Sequence, residues 1–177
     1  MTNFAAYTPS TWTRAGLEEA GYQGFLTFDE LHTAGAPSAP KHASIYVVVR
    51  PSTTRPRFTA TNPAGKHRDF SESPEVLQRE WVDGAEVVYI GLATLGAKRD
   101  GTHRRLKQFR RTGASTADNH GGGVWVFQLE DAADLLVCWR AAEDPSNEFV
   151  LALEHHLIAD FVARAGQGRR PFANRKD

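Results

Sequence analysis

"AEVVYIGLA", residues 85–93, reads as a buried strand running over 86–91 and closing on Gly91. Val87, Val88, Tyr89 and Ile90 are β-branched or aromatic, and the run is short and bounded by turn residues. A run of the same kind precedes it, "SIYVVV" at 44–49, ended by Pro51. The chain between the two lacks a helical crossover of ordinary length, so an antiparallel pairing is expected. "VWVFQL" (124–129) reads as a third strand and "DLLVCWR" (134–140) as a fourth. The fold class expected is α/β, more narrowly α+β: a small, mostly antiparallel sheet flanked by helices.

Helix signals lie between these runs. Ser73 and Pro74 open a short helix to about Trp81, with serine as N-cap and proline in the first turn. "THRRLKQFRRTG" reads as a helix capped by Thr102 and stopped by Gly113, with Leu106 and Phe109 inward. Asp144 and Pro145 open the last helix, expected to reach about Ala165. Residues 1–42 read as short helices and loops, with a capping box at Thr27 and Glu30 and a connector at 36–41. Residues 51–72 have no clear period and read as a long surface loop holding Arg55, Arg57, Lys66 and Arg68.

A chain of 177 residues is about one domain, large enough to bury a core. Its single cysteine, Cys138, excludes an internal disulfide and a cysteine-based zinc site. The amino terminus lacks the pattern of a secretory signal, and no apolar run approaches the ~20 residues of a membrane span. A soluble, cytoplasmic protein without a membrane partner is expected. Acidic and basic residues balance at 21 each, but unevenly along the chain. Lys98, Arg99, Arg104, Arg105, Lys107, Arg110 and Arg111 crowd one helix and its approach, and Arg169, Arg170, Arg175 and Lys176 the tail; acidic residues gather over 130–148. A basic helix with a basic tail suits phosphate, although a solvated helix surface has the same pattern.

"LALEHHLIADF" (151–161) sets Glu154 among Val150, Leu151, Leu157 and Ile158 at helical spacing. A carboxylate in an apolar stripe costs on the order of several kcal/mol unless a cation or donor compensates it. His155 and His156, adjacent on that helix, lack the spacing of a zinc motif. His103, before the basic pair, and His120, before Gly121–Gly123, are each placed where they could reach a phosphate site. The triple glycine lacks both the pattern and the following helix of a nucleotide-binding loop.

"SIY", "YIG", "HRRLKQF", "ALEHHLI" and "PFAN" occur in an order that resembles the GIY-YIG nuclease domain, over about residues 43–175. The resemblance implies a catalytic set of Tyr46, Tyr89, Arg105, Glu154 and Asn174. Ser44 departs from the first glycine of the motif, and the spacing between the tripeptides implies an insertion over 51–85 and an extension over 1–42. A metal-dependent endonuclease acting on DNA and leaving a 5′-phosphate is implied. Glu154 would then hold Mg²⁺ or Mn²⁺, Arg105 would stabilise phosphoryl charge, Tyr46 would activate water, Tyr89 would orient it, and Asn174 would pin the site or touch phosphate. Lys98, Arg99, His103, Arg104, Lys107, Arg110 and Arg111 would contact nucleic acid, and cutting both strands of a short site would call for a homodimer. Two other readings stay open: a non-cleaving nucleic-acid-binding module of the same fold, and a protein-interaction domain using the basic helix.

Overall fold

The computed structural model describes residues 4–32, 39–118 and 120–175. Residues 36–38 of the expected connector and Lys176 of the basic tail lie outside them. The described elements are α1 (Arg14–Glu19), β1 (Gln23–Thr27), β2 (Ser44–Val49), α2 (Pro74–Glu80), β3 (Val87–Ala93), α3 (Gly101–Gly113), β4 (Leu136–Ala141) and α4 (Asn147–Arg164), with short 3₁₀ turns between them. The strands form one antiparallel sheet in the order β1-β4-β2-β3. The coarse class read from the sequence holds: α+β with a small antiparallel sheet. Among the described residues no helix is long and apolar enough to cross a membrane.

β2 lies between β3 and β4, and all six of its residues are buried. Strand alternation sends Tyr46 and Val48 to one face and Ile45, Val47 and Val49 to the other. The first face is covered by Leu106 and Phe109 of α3, by Leu77 of α2 and by Trp125 and Phe127. The second is covered by Val150, Leu153, Leu157 and Phe161 of α4 together with Tyr7, Trp12 and Leu17. β3 carries one extra residue, Val88, because Tyr89 faces Val48 while Val87 faces Val49. Such a bulge twists a strand locally and re-aims its side chains, here just before Tyr89.

Four expectations are corrected. "VWVFQL" is not a strand but a buried 3₁₀ turn over Val124–Gln128. It is entered through Gly123 at φ 74, and a continuous apolar run lacks the alternation that identifies a strand. β1, missed in the region read as helices and loops, adds an edge strand against β4; the capping-box contacts between Thr27 and Glu30 form, but only a three-residue 3₁₀ turn follows. Asp100, not Thr102, precedes α3. Thr102 is buried inside it, where its hydroxyl pairs with Ser44 and donates to the His42 carbonyl. Ser146, not Asp144, caps α4, accepting from the Phe149 amide.

The irregular chain between β2 and α2 is tied down. Buried Gln128 donates to the carbonyls of Thr59 and Glu72 and accepts from the Glu72 amide. Asn62 bridges Val124 and Ala64, and the Asp118 carboxylate receives the amides of Lys66 and His67. Arg50, almost fully buried, pairs with Asp131 and lies over Trp81. A few buried positions thus anchor the loop to the core, while Arg55, Arg57, Lys66 and Arg68 are exposed on the surface, as read from the sequence.

Candidate active site

Tyr46 on β2 and Tyr89 on β3 have ring centroids 5.9 Å apart. Gly91, opposite Tyr46 in the ladder, makes the pair possible. A Cβ there would stand 2.6 Å from the Tyr46 hydroxyl and 2.8 Å from the Tyr89 ring, closer than packed carbon atoms approach. The glycine of the tripeptide is thus a packing requirement of the two phenols.

Tyr46 is wholly buried, and Tyr89 is the phenol that lines a cleft of about 820 Å³. Half-buried Glu154 borders the same cleft, with His155, Ile158, Val162, Arg170 and Asn174. The stripe into which the sequence set Glu154 is displaced: the buried face of α4 is Phe149, Val150, Leu153, Leu157 and Phe161, while Leu151 is 47% exposed. Glu154 stands at the edge of that face and turns to the cleft.

Arg105, half-buried on α3, and Glu154 both act on the tyrosines. Burial raises the pKa of Tyr46, against the opposing charge and hydrogen bond of Arg105, and the Glu154 charge raises it further. Tyr89 is raised well above the ordinary phenol value by burial, then by Tyr46, with Arg105 opposing and Glu154 adding. Both phenols are therefore protonated at neutral pH. Asn174 is spent on structure: its Oδ1 accepts from the Ile90 amide at 2.9 Å and its Nδ2 donates to the Ile90 carbonyl at 2.7 Å. It pins the carboxyl-terminal segment beside β3 and also borders the cleft.

His120, given no fixed role by the sequence, packs against Tyr46. It is fully buried, its ring stacks on Phe109 at 4.2 Å, and its Nε2 lies 2.9 Å from the Tyr46 hydroxyl. Its pKa is lowered to about 3 by burial, then by the Arg105 charge, with the Gly122 backbone opposing; the ring is neutral. Its Nδ1 makes no hydrogen bond of full geometry among the described residues. Gly122 and Gly123 follow because side chains there would collide with Tyr89, at 2.7 and 2.9 Å. The signal available in the sequence was the histidine directly before three glycines.

Of the expected nucleic-acid contacts, Lys98, Arg99, His103, Lys107 and Arg111 are exposed. Lys98, His103, Arg104, Lys107 and Arg111 border a second groove of about 380 Å³. Arg104 is already held by Asp100 at 3.0 Å and by the Thr94 carbonyl. Arg110 is half-buried, its pKa lowered first by burial and then by Arg111.

The described residues contain no group of three or more His, Cys, Asp or Glu side chains able to hold a metal. One carboxylate at a cleft still fits Mg²⁺, which keeps several waters and takes its remaining ligands from substrate oxygens. No family model matches the chain, and no curated protein or solved structure matches it either.

Proposed function

We propose that the chain is a divalent-metal-dependent endonuclease of the GIY-YIG type that hydrolyses DNA phosphodiester bonds. The observation that carries this reading is convergence: Tyr46, Tyr89, Arg105 and Glu154 come from four different elements, Arg105 and Glu154 act on both phenols, and Tyr89 and Glu154 line one cleft. An unrelated sheet gives no reason for these four to meet.

In this reading the scissile phosphate lies in the cleft near Arg105, whose guanidinium stabilises charge developing on the phosphoryl oxygens. Water attacks phosphorus, the bond to the 3′ oxygen breaks, and the water's hydrogen is balanced on the leaving 3′ hydroxyl, with the phosphate left on the 5′ side. Tyr89, the phenol at the cleft wall, orients the water; Tyr46, wholly buried, supports it from behind instead of activating the water itself. Glu154 would hold Mg²⁺ or Mn²⁺, which when bound neutralises phosphate charge and makes water nucleophilic near neutral pH. The basic residues of α3 and its approach serve as the contact to flanking phosphates.

The complete burial of Tyr46 also favours a second reading, a DNA-binding module that does not cut. The test is cleavage of supercoiled, linear and branched DNA by the wild type and by Glu154→Ala, each with Mg²⁺, Mn²⁺ or chelator. Cutting by the wild type alone, and only with metal, is expected. Salt-sensitive DNA binding without cutting by the wild type would replace the enzyme with the binding module.

A further inference from the structure

Beyond Glu154 the cleft follows α4 for about two turns, past Ile158 and Ala159 to Val162, and it is also lined by two arginines of the tail, Arg170 and Arg175. Both are carried on an anchored segment. Pro171, Phe172 and Ala173 between them are buried, the Ala173 amide donates to the Val88 carbonyl at 2.8 Å, and Asn174 holds both polar groups of Ile90. The Arg175 guanidinium sits 4.5 Å from the centre of the Trp125 ring. Its pairing with Glu72, at 3.6 Å between half-exposed side chains, is the weak kind found at surfaces. An arginine seated on a ring keeps most of its five donors for other partners. Arg170 is exposed. Arg169, by contrast, donates to the Arg79 carbonyl and lies outside the lining.

The chemistry of these groups selects what they can hold. Two guanidiniums face one carboxylate among the lining residues, so the cleft attracts an anion even before Glu154 takes up a metal. Ile158 and Val162, half-buried, add an apolar strip that a bare phosphate cannot use. Gly121–Gly123 supply a stretch of lining without side chains, open to close approach by a backbone. Phosphate donors beside an apolar strip suit an unpaired strand, whose sugars and base faces are accessible; in a duplex the base faces are stacked away. The cleft volume of about 820 Å³ lies in the range that encloses a drug-sized molecule. That is the scale of short single strand, not of a helix whose major groove alone is about 12 Å wide. We infer that Arg170 and Arg175 form a strand-binding subsite: they hold phosphates beside the scissile one on an unpaired stretch of nucleic acid, with its sugars or bases against Ile158 and Val162. That the strand is cut rests on the nuclease reading, whereas its binding in the cleft does not.

Binding and cutting are tested separately on the full chain. Fluorescence anisotropy with a labelled single-stranded DNA of about 12 nucleotides, in chelator, gives the affinity at several salt concentrations. Arg170→Ala and Arg175→Ala should each lower the slope of log affinity against log salt by about 0.7, the value per phosphate contact for single strands. A role confined to packing lowers stability and leaves that slope alone. The place of binding is read from Ala159→Cys, since position 159 is exposed in the cleft lining while Cys138 is buried. With the strand at about ten times its Kd, alkylation at position 159 should slow roughly tenfold, because only the free fraction reacts. A duplex of the same sequence at the same concentration should protect less. Failure to bind the strand, unslowed alkylation with the strand bound, equal protection by the duplex, or unchanged slopes in both arginine variants would each overturn the inference. Protection by the strand in a wild type that cuts nothing would sink the nuclease reading and leave the subsite standing. Cutting by the wild type with a rate and KM that neither arginine variant alters would do the reverse.

Discussion

Replacing His120 with glutamine should remove most of the acid sensitivity that this one ring builds into the fold. His120 is fully buried, stacked on Phe109 and hydrogen-bonded to Tyr46. Burial first, and then the Arg105 charge, bring its pKa from 6.5 to about 3. Between those values the unfolded chain binds a proton that the folded chain refuses, so stability falls as pH falls. The contribution is complete above about pH 6.5 and is lost at about 1.4 kcal/mol per pH unit below it, down to about pH 3. At about pH 5 the loss is ~2 kcal/mol, a large share of the ~5–15 kcal/mol that holds a typical domain together. For a chain of this length it corresponds to a melting temperature lower by about 4–8 °C. Urea unfolding at about pH 7.5 and about pH 5 would be measured for both proteins. The carboxylates titrate in both and cancel in the difference between them. Glutamine loses packing at either pH, so the comparison is of slopes, not of absolute stability. Equal losses of stability between the two pH values would show that His120 is not held neutral by its surroundings.

Gly91→Ala forces a methyl group to within 2.6 Å of the Tyr46 hydroxyl; overpacking of this kind costs about 1–3 kcal/mol, readable as a lower urea midpoint. Gln128→Leu would strand the carbonyls of Thr59 and Glu72 and the Glu72 amide. With unsatisfied buried groups worth about 1–3 kcal/mol each, it should destabilise the protein and expose residues 51–72 to proteolysis at neutral pH. Glu154→Gln is expected to lower metal-dependent cleavage at least about 100-fold, the scale on which single electrostatic groups act in such sites, while DNA still binds in a mobility-shift assay. Lys107→Ala or Arg111→Ala should each reduce the slope of log affinity against log salt by about 1. Arg104→Ala should change that slope less, since Asp100 and Thr94 already engage its guanidinium.

Much of the framework was legible because its signals are local. "SIYVVV" and "EVVYIG" are strands because β-branched and aromatic side chains suit a pleated, buried surface. Ser73 with Pro74 opens α2 at the residues where their backbone chemistry requires it. Other features were illegible for a physical reason. Val124–Gln128 is apolar throughout, and a buried run without alternation fits a strand or a turn equally well. β1 is an edge strand with a glycine and a bulge at Gly24–Leu26, so its pattern is weak. The anchoring of residues 51–72 depends on Gln128 and Asn62, whose partners are far away in the chain.

Residue type and order alone determined that two tyrosine-bearing strands, a basic helix and a helix with a glutamate are present, since each follows from neighbours within a few positions. Only the tertiary structure decided how they are used. It buried Tyr46 and left Tyr89 at the cleft, it moved Glu154 from the apolar face to the rim, and it spent Asn174 on Ile90. It also brought His120 to Tyr46 across 74 residues of chain. Burial and hydrogen-bond partnership belong to the packed whole, because they depend on which distant atoms exclude water from a group, and no local pattern encodes that.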